Sequence, residues 1–141
     1  MIKSNPSFSN KEISENVNIL FLILAKNEEI WERDRAFQEQ TWAKESAGRK
    51  IRFLYGSDDF KVKSENSIYI DCADEYRFIL RKSILGTKQV VNTFEFDFIV
   101  RTNVSTFFDV DKLLAKLEEK SLDLPIALGY FEQHEKEYSL Q

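Results

Sequence analysis

The stretch Phe94-Glu-Phe-Asp-Phe-Ile-Val-Arg-Thr-Asn-Val-Ser-Thr-Phe-Phe-Asp109 decides the fold. Its apolar run, Phe98-Ile99-Val100, gives way at once to Arg101, Thr102, Asn103 and Ser105. Apolar residues on consecutive positions indicate a strand buried on both faces, the pattern of parallel sheets. In open α/β sheets, ligands bind outside the carboxyl ends of such strands. The polar cluster therefore falls where an α/β protein places a polar ligand.

Outward from this stretch, strands and helices alternate. Residues 17–25 read as another buried strand. Asn27, Glu28 and Glu29 then place acids in the first turn of a helix, where they suit its positive end. That helix is expected to run to about Ser46, with Gly48 as its stop. Residues 51–55 form a second strand, closed by the turn composition Gly56-Ser57-Asp58-Asp59. Residues 67–71 are a third, short strand. A long helix is predicted over residues 76–94. Tyr76, Leu80 and Ile84 share one face of it, and Val90, Val91 and Phe94 extend the apolar side. Gly86 within that helix marks a close packing contact. Residues 97–100 are the fourth strand, Asp109 caps a helix over residues 110–119, and residues 124–130 are a last strand.

The order β-α-β-β-α-β-α-β argues for an α/β fold: a mostly parallel sheet flanked by helices. One domain is expected over residues 17–131. It lies between a flexible polar leader, residues 1–16, and a polar tail, residues 132–141.

Composition narrows the function. The chain has 141 residues and a net charge of −4, with basic residues scattered among acids. That balance argues against nucleic acid as the main partner. The longest apolar run, residues 19–25, is too short to span a bilayer, and the leader lacks the pattern of a signal peptide. Cys72 is the only cysteine and His134 the only histidine. An internal disulfide and a cysteine or histidine-rich zinc site are thereby excluded. A single cysteine fits a reducing, cytoplasmic location, and Cys72 reads as a small buried residue.

Several motifs are absent. Gly86-Thr87-Lys88 lacks the first glycine of a P-loop and falls inside a helix. There is no dinucleotide fingerprint and no nucleophile elbow. Asp58-Asp59 could bind a metal or a sugar hydroxyl, but a solvated turn explains it better. Arg33, near the start of the first helix, could reach a phosphate, or simply pair with Glu29 one turn away. Trp31 and Trp42 read as core or half-buried anchors.

Three segments together resemble one family. Asp71-Cys-Ala-Asp74-Glu-Tyr76-Arg-Phe-Ile-Leu-Arg-Lys82-Ser83 is similar, without gaps, to the galactosyltransferase-type motif Asp-Phe-x-Asp-Ser-Tyr-x-Asn-Leu-Thr-Leu-Lys-Thr. Val100-Arg101-Thr102-Asn103-Val104-Ser105-Thr106-Phe107 resembles Leu-Lys-Thr-Asp-Asp-Asp-Val-Phe. Arg33 to Trp42, ending in Gln40-Thr41-Trp42, resembles an Arg-rich helix ending in Thr-Trp. Their order and spacing match the β-1,3-galactosyltransferase-like (fringe-like) group of GT-A-fold glycosyltransferases over about residues 17–130.

The resemblance implies a Rossmann-like nucleotide-sugar half and a UDP-hexose donor. It implies transfer of a hexose to a saccharide or lipid-linked glycan. Ala25, Lys26 and Arg33 would approach the nucleotide, and Lys82 would face the same pocket. Thr102, Asn103 and Ser105 would hold ribose and diphosphate.

Two departures qualify this. Asn103-Val104-Ser105 stands where the family has its acidic triplet. A Mg or Mn ion on a diphosphate wants carboxylate oxygens, so a metal is not favoured, and Arg101 with Lys82 would offset the charge instead. The family's acceptor half, which carries the general base, follows the point where this chain ends. The resemblance therefore implies a donor half alone, truncated or completed by another chain or by dimerisation. The alternative is a non-catalytic nucleotide-sugar or interaction module. A receiver-like domain ranks last, because Ala25-Lys26-Asn27 offers no acid at the first strand's end.

Overall fold

The computed structural model describes residues 17–57 and 64–119. In chain order it contains β1 (Ile19–Leu24), α1 (Glu29–Gln40), β2 (Arg49–Tyr55), β3 (Ser67–Tyr69) and a 3-10 turn (Tyr76–Phe78). The turn leads into α2 (Ile79–Thr93), followed by β4 (Phe98–Asn103) and α3 (Val110–Glu118). The four strands form one sheet in the order β3-β2-β1-β4, and every pairing is parallel. An α/β fold with a parallel sheet flanked by helices follows. The leader, Asp58, Asp59, the expected strand at 124–130, His134 and the tail lie outside the described residues.

β1 is apolar throughout because it has a strand on each side and helices on both faces. All six of its side chains are buried. Phe21 and Ile23 join Ile51, Phe53, Trp42, Val110 and Leu117 in one core layer, which also takes Trp31 of α1 and Leu113 of α3. Leu20, Leu22 and Leu24 join Leu54 and Val90 in the other, against Ile79 and Leu85 of α2. Thus α1 and α3 cover one face, and α2 covers the opposite face.

β4 departs from expectation in two ways. Phe98, Ile99 and Val100 are half-buried rather than buried; among the described residues, β4 has a strand, β1, on one side only. The strand also continues three residues past Val100, since Arg101, Thr102 and Asn103 pair in register with Leu22, Ile23 and Leu24. The polar cluster thus begins inside the strand.

α1 stops at Gln40, well short of Ser46. The Thr41 hydroxyl donates to the Phe37 carbonyl at 2.8 Å, and Trp42 and Ala43 then turn into the core. Trp42 meets Phe21 and Phe108 edge to face, with centroids 5.3 and 5.2 Å away. Gly48, at φ 81°, makes the tight turn into β2, a conformation that glycine adopts without strain. The cap of α3 is as expected, with Asp109 Oδ1 accepting from the Lys112 amide at 3.2 Å.

The orientation of α2 corrects the periodicity reading. Tyr76, Leu80, Ile84 and Val91 point outward and are exposed. The buried positions are Lys82, Gly86 and Val90. This face packs closely because Gly86 has no side chain: a Cβ there would lie 2.4 Å from Leu54 Cδ2. Leu54 is fully buried and has little room to yield.

Alanine at position 86 gains roughly 1 kcal/mol of helix propensity over glycine. Overpacking costs roughly 1–3 kcal/mol and outweighs that gain here. Gly86→Ala is expected to lower unfolding stability in urea, and adding Leu54→Val should restore much of the loss. A Gly86→Ala variant more stable than the parent would contradict this packing.

Candidate functional site

Because the strands are parallel, their carboxyl ends meet at one edge, with Leu24 in register with Leu54 on one side and Asn103 on the other. The chain winds outward from β1 through β2 to β3, then returns through α2 to the other side of β1. Ligand crevices of open α/β sheets form at such reversals.

The site is organised by Lys82. Its ammonium donates to the Ala25 carbonyl at 2.6 Å and to Asp74 Oδ1 at 2.6 Å. The two side chains are only 5% and 9% exposed. Asp74 Oδ2 accepts from the Gly56 amide at 3.3 Å. Glycine is required at position 56, because a Cβ would stand 2.5 Å from the Cys72 carbonyl. One ion pair therefore ties together the ends of β1 and β2, the segment after β3, and α2. An ammonium has three protons, so one remains for a ligand. Cys72 is buried, as expected.

Beside this pair is a cavity of about 140 Å³, lined by Lys26, Trp31, Asp74, Tyr76, Ile79 and Lys82 among others. It opens between the starts of α1 and α2. Ligand pockets usually enclose about 300–1,000 Å³, so this cavity holds one ring-sized group rather than a whole nucleotide sugar. Lys26 is half-buried, with its ammonium 2.7 Å from Glu28. A separate polar hollow is lined by Glu45, Arg52, Glu65 and Asn66.

The end of β4 adjoins the cavity across the β1–β4 register. Arg101 is exposed, and its Nε donates to Ser83 Oγ of α2 at 3.2 Å. Thr102 is buried. Asn103 Oδ1 accepts from the Ser105 amide at 3.2 Å, from Ser105 Oγ at 2.7 Å and from Thr106 Oγ1 at 2.9 Å. This local capping holds the 103–106 turn from outside. Gln38 of α1 holds it from inside: its Nε2 donates to the carbonyls of Asn103, Val104 and Thr106 at 3.1, 2.8 and 2.7 Å.

These residues do not fit a divalent cation. The Asn103 side-chain oxygen already accepts three hydrogen bonds, Val104 is buried, and Ser105 offers only a neutral hydroxyl. Mg and Mn require several oxygen ligands, usually with carboxylates among them. Among the described residues, no three acidic, histidine or cysteine side chains converge.

Of the residues expected at a site, Lys26 and Lys82 line the cavity, and the Ala25 carbonyl holds Lys82 there. Arg101, Thr102, Asn103 and Ser105 come together at the neighbouring strand end. Arg33 does not join them: it is exposed on α1, does not line the cavity, and makes no ion pair with Glu29. The arginine of α1 with a built environment is Arg35. It is 6% exposed and donates to Glu39, Tyr55, Ser67, Ser64 and Asn66 at 2.6–3.0 Å. It also lies 4.1 Å over the Phe53 ring.

Burial opposes the Arg35 charge, but hydrogen bonds to Glu39 and Tyr55 outweigh it and raise the pKa above the ordinary value. Sequence gave no sign that Arg35, rather than Arg33, faces inward. Gln38 was missed because an amide on a helix carries no motif.

Burial, then the hydrogen bond to Glu32, push the Tyr55 phenol well above its usual 10.0. The bond to Glu32 is 2.7 Å long. Comparisons with protein families, curated proteins and solved structures found no match.

Removing one partner from a buried ion pair costs about 3–5 kcal/mol. Lys82→Met is therefore expected to lose stability on that scale in denaturant titrations. Lys82→Met combined with Asp74→Leu should recover most of it, and equal loss in both variants would refute the pairing. Alkali gives a second check. The unfolded phenol of Tyr55 ionises near 10.0 while the folded one stays protonated. Stability should thus fall as pH rises above 10.0, and Tyr55→Phe should flatten that fall. An unaltered slope would contradict the burial of this hydroxyl.

Proposed function

We propose that this chain is the donor-binding half of a nucleotide-sugar-dependent glycosyltransferase. In this reading it is a Rossmann-like, GT-A-type domain that takes a UDP-hexose and serves transfer of the hexose to a glycan acceptor. One observation carries the reading. The two segments with the strongest family resemblance, residues 71–83 and 100–107, arrive on the two sides of β1 at one sheet edge. Lys82 of the first segment bonds there to the backbone of Ala25.

The cavity takes one ring of the nucleotide, and the diphosphate lies toward the end of β4. Much of the Lys82 charge is answered by Asp74. Offsetting the leaving diphosphate therefore falls mainly to Arg101, since Lys26 is paired with Glu28. The 103–106 turn, held from both sides, supplies a fixed wall rather than free donors, because its amides and hydroxyls already donate to Asn103 and Leu24. No metal takes part in this reading.

A second reading has its own support. Asn103 and Ser105 bring no carboxylate to the positions that are acidic in the family, so the domain would bind a nucleotide sugar without turning it over. Donor hydrolysis or sugar transfer distinguishes the two, since either would exclude the non-catalytic module.

Titration calorimetry with UDP, UDP-glucose, UDP-galactose, and GDP- and dTDP-sugars tests the shared claim. Binding of a uridine nucleotide is expected. Arg101→Gln should weaken it about tenfold, the scale of one lost charge-assisted hydrogen bond. A folded sample that gives no heat with any of these nucleotides would exclude both readings.

A further inference from the structure

The outward face of α2 has the makeup of a lipid-surface anchor. Leu80, Ile84 and Val91 form a stripe along it, with Tyr76 of the preceding turn in line. They are 70%, 48%, 57% and 90% exposed. The helix does not need them for its core contact, which Lys82, Gly86 and Val90 make on the other side. At 100° per residue, Arg77, Arg81 and Lys88 flank this stripe along one edge. Residues 76–94 contain four cations, Arg77, Arg81, Lys82 and Lys88, and no acid, although the whole chain carries a net charge of −4. Lys82 is answered by Asp74 and Arg77 by Glu75. Arg81 and Lys88 have no acidic partner among the described residues. The nearest acids in sequence, Glu75 and Glu95, fall beyond the two ends of the helix.

The geometry points to docking of this face on an anionic lipid surface, with α2 lying in the interface plane. The apolar stripe would enter the headgroup boundary while the basic edge contacts lipid phosphates. Charge decides among occupants. A second copy packed symmetrically, face to face, would present the same cations with no acids to answer them. A negatively charged bilayer answers the exposed basic edge, and the net negative charge of the rest of the chain would orient the domain with α2 toward the membrane. At about 1.5 Å per residue, the helix offers roughly 22 Å of continuous contact. This inference rests on Leu80, Ile84 and Val91, none of which lines the cavity, and its test does not depend on nucleotide binding.

Co-sedimentation of the full chain with vesicles tests it. One set contains phosphatidylcholine alone, and the other contains phosphatidylcholine mixed with phosphatidylglycerol. Binding is expected only to the anionic set and should weaken as salt is raised. Arg81→Gln and Lys88→Gln should each reduce partitioning about fivefold. Leu80→Ser with Ile84→Ser should abolish it, with the helical circular dichroism unchanged. Absence of binding to anionic vesicles, equal binding to both sets, or insensitivity to these substitutions would overturn the proposal. So would a dimer in light scattering that dissociates on Leu80→Ser, since the stripe would then be covered by a second copy.

Discussion

The bond on which the site depends is the one between Lys82 and Asp74. Two charges removed from water are stable only when they meet each other and satisfy the remaining donors and acceptors. Here the remaining partners are backbone groups at two strand ends, the Ala25 carbonyl and the Gly56 amide. The ion pair therefore fixes how α2 and the segment after β3 lie on the sheet. Moving α2 would part the buried Asp74 carboxylate from the Lys82 ammonium. The shape of the cavity, with Trp31 and Lys26 on one side and Tyr76 and Ile79 on the other, follows from that restraint.

A second restraint acts across the sheet edge. Gln38 extends one amide from α1 to three carbonyls of the 103–106 turn, while Asn103 closes the turn from outside. Arg35, three residues before Gln38 on the same helix, ties α1 to β2 and to the residues leading into β3. α1 is thus locked at both sheet flanks by polar side chains. These bonds fix the shape of the rim and use up its amides and hydroxyls. They also occupy the Asn103 side-chain oxygen, which is why the turn is poor in metal ligands and why positive side chains carry the proposed diphosphate chemistry.

Much of the architecture was legible in the sequence. The unbroken apolar run of β1, the alternation of strands and helices, and the Asp109 cap are local signals with local causes. The facing of α2 was not legible. Tyr76, Leu80 and Ile84 carry the i, i+4 spacing of a core stripe, while the true core positions are a lysine, a glycine and a valine. Lys82 is inside only because Asp74, eight residues away, meets it. Gly86 is inside only because Leu54 fills the space a side chain would take. Both causes are tertiary. The same holds for Arg33 and Arg35, two arginines on one helix, of which only the second finds tyrosine, serine and asparagine partners from distant segments. The end of β4 was placed too early because polar residues suggest a loop, whereas backbone pairing with β1 carries the strand through Asn103.

The most direct test of the central claim, that a nucleotide binds at the carboxyl edge around Lys82, is a proton–nitrogen NMR titration of the full chain with UDP. The expected result is saturable shift changes at the amides of Lys26, Asp74 to Lys82, and Arg101 to Ser105. Shifts confined to the hollow lined by Glu45, Arg52, Glu65 and Asn66, or no shifts at all, would contradict it.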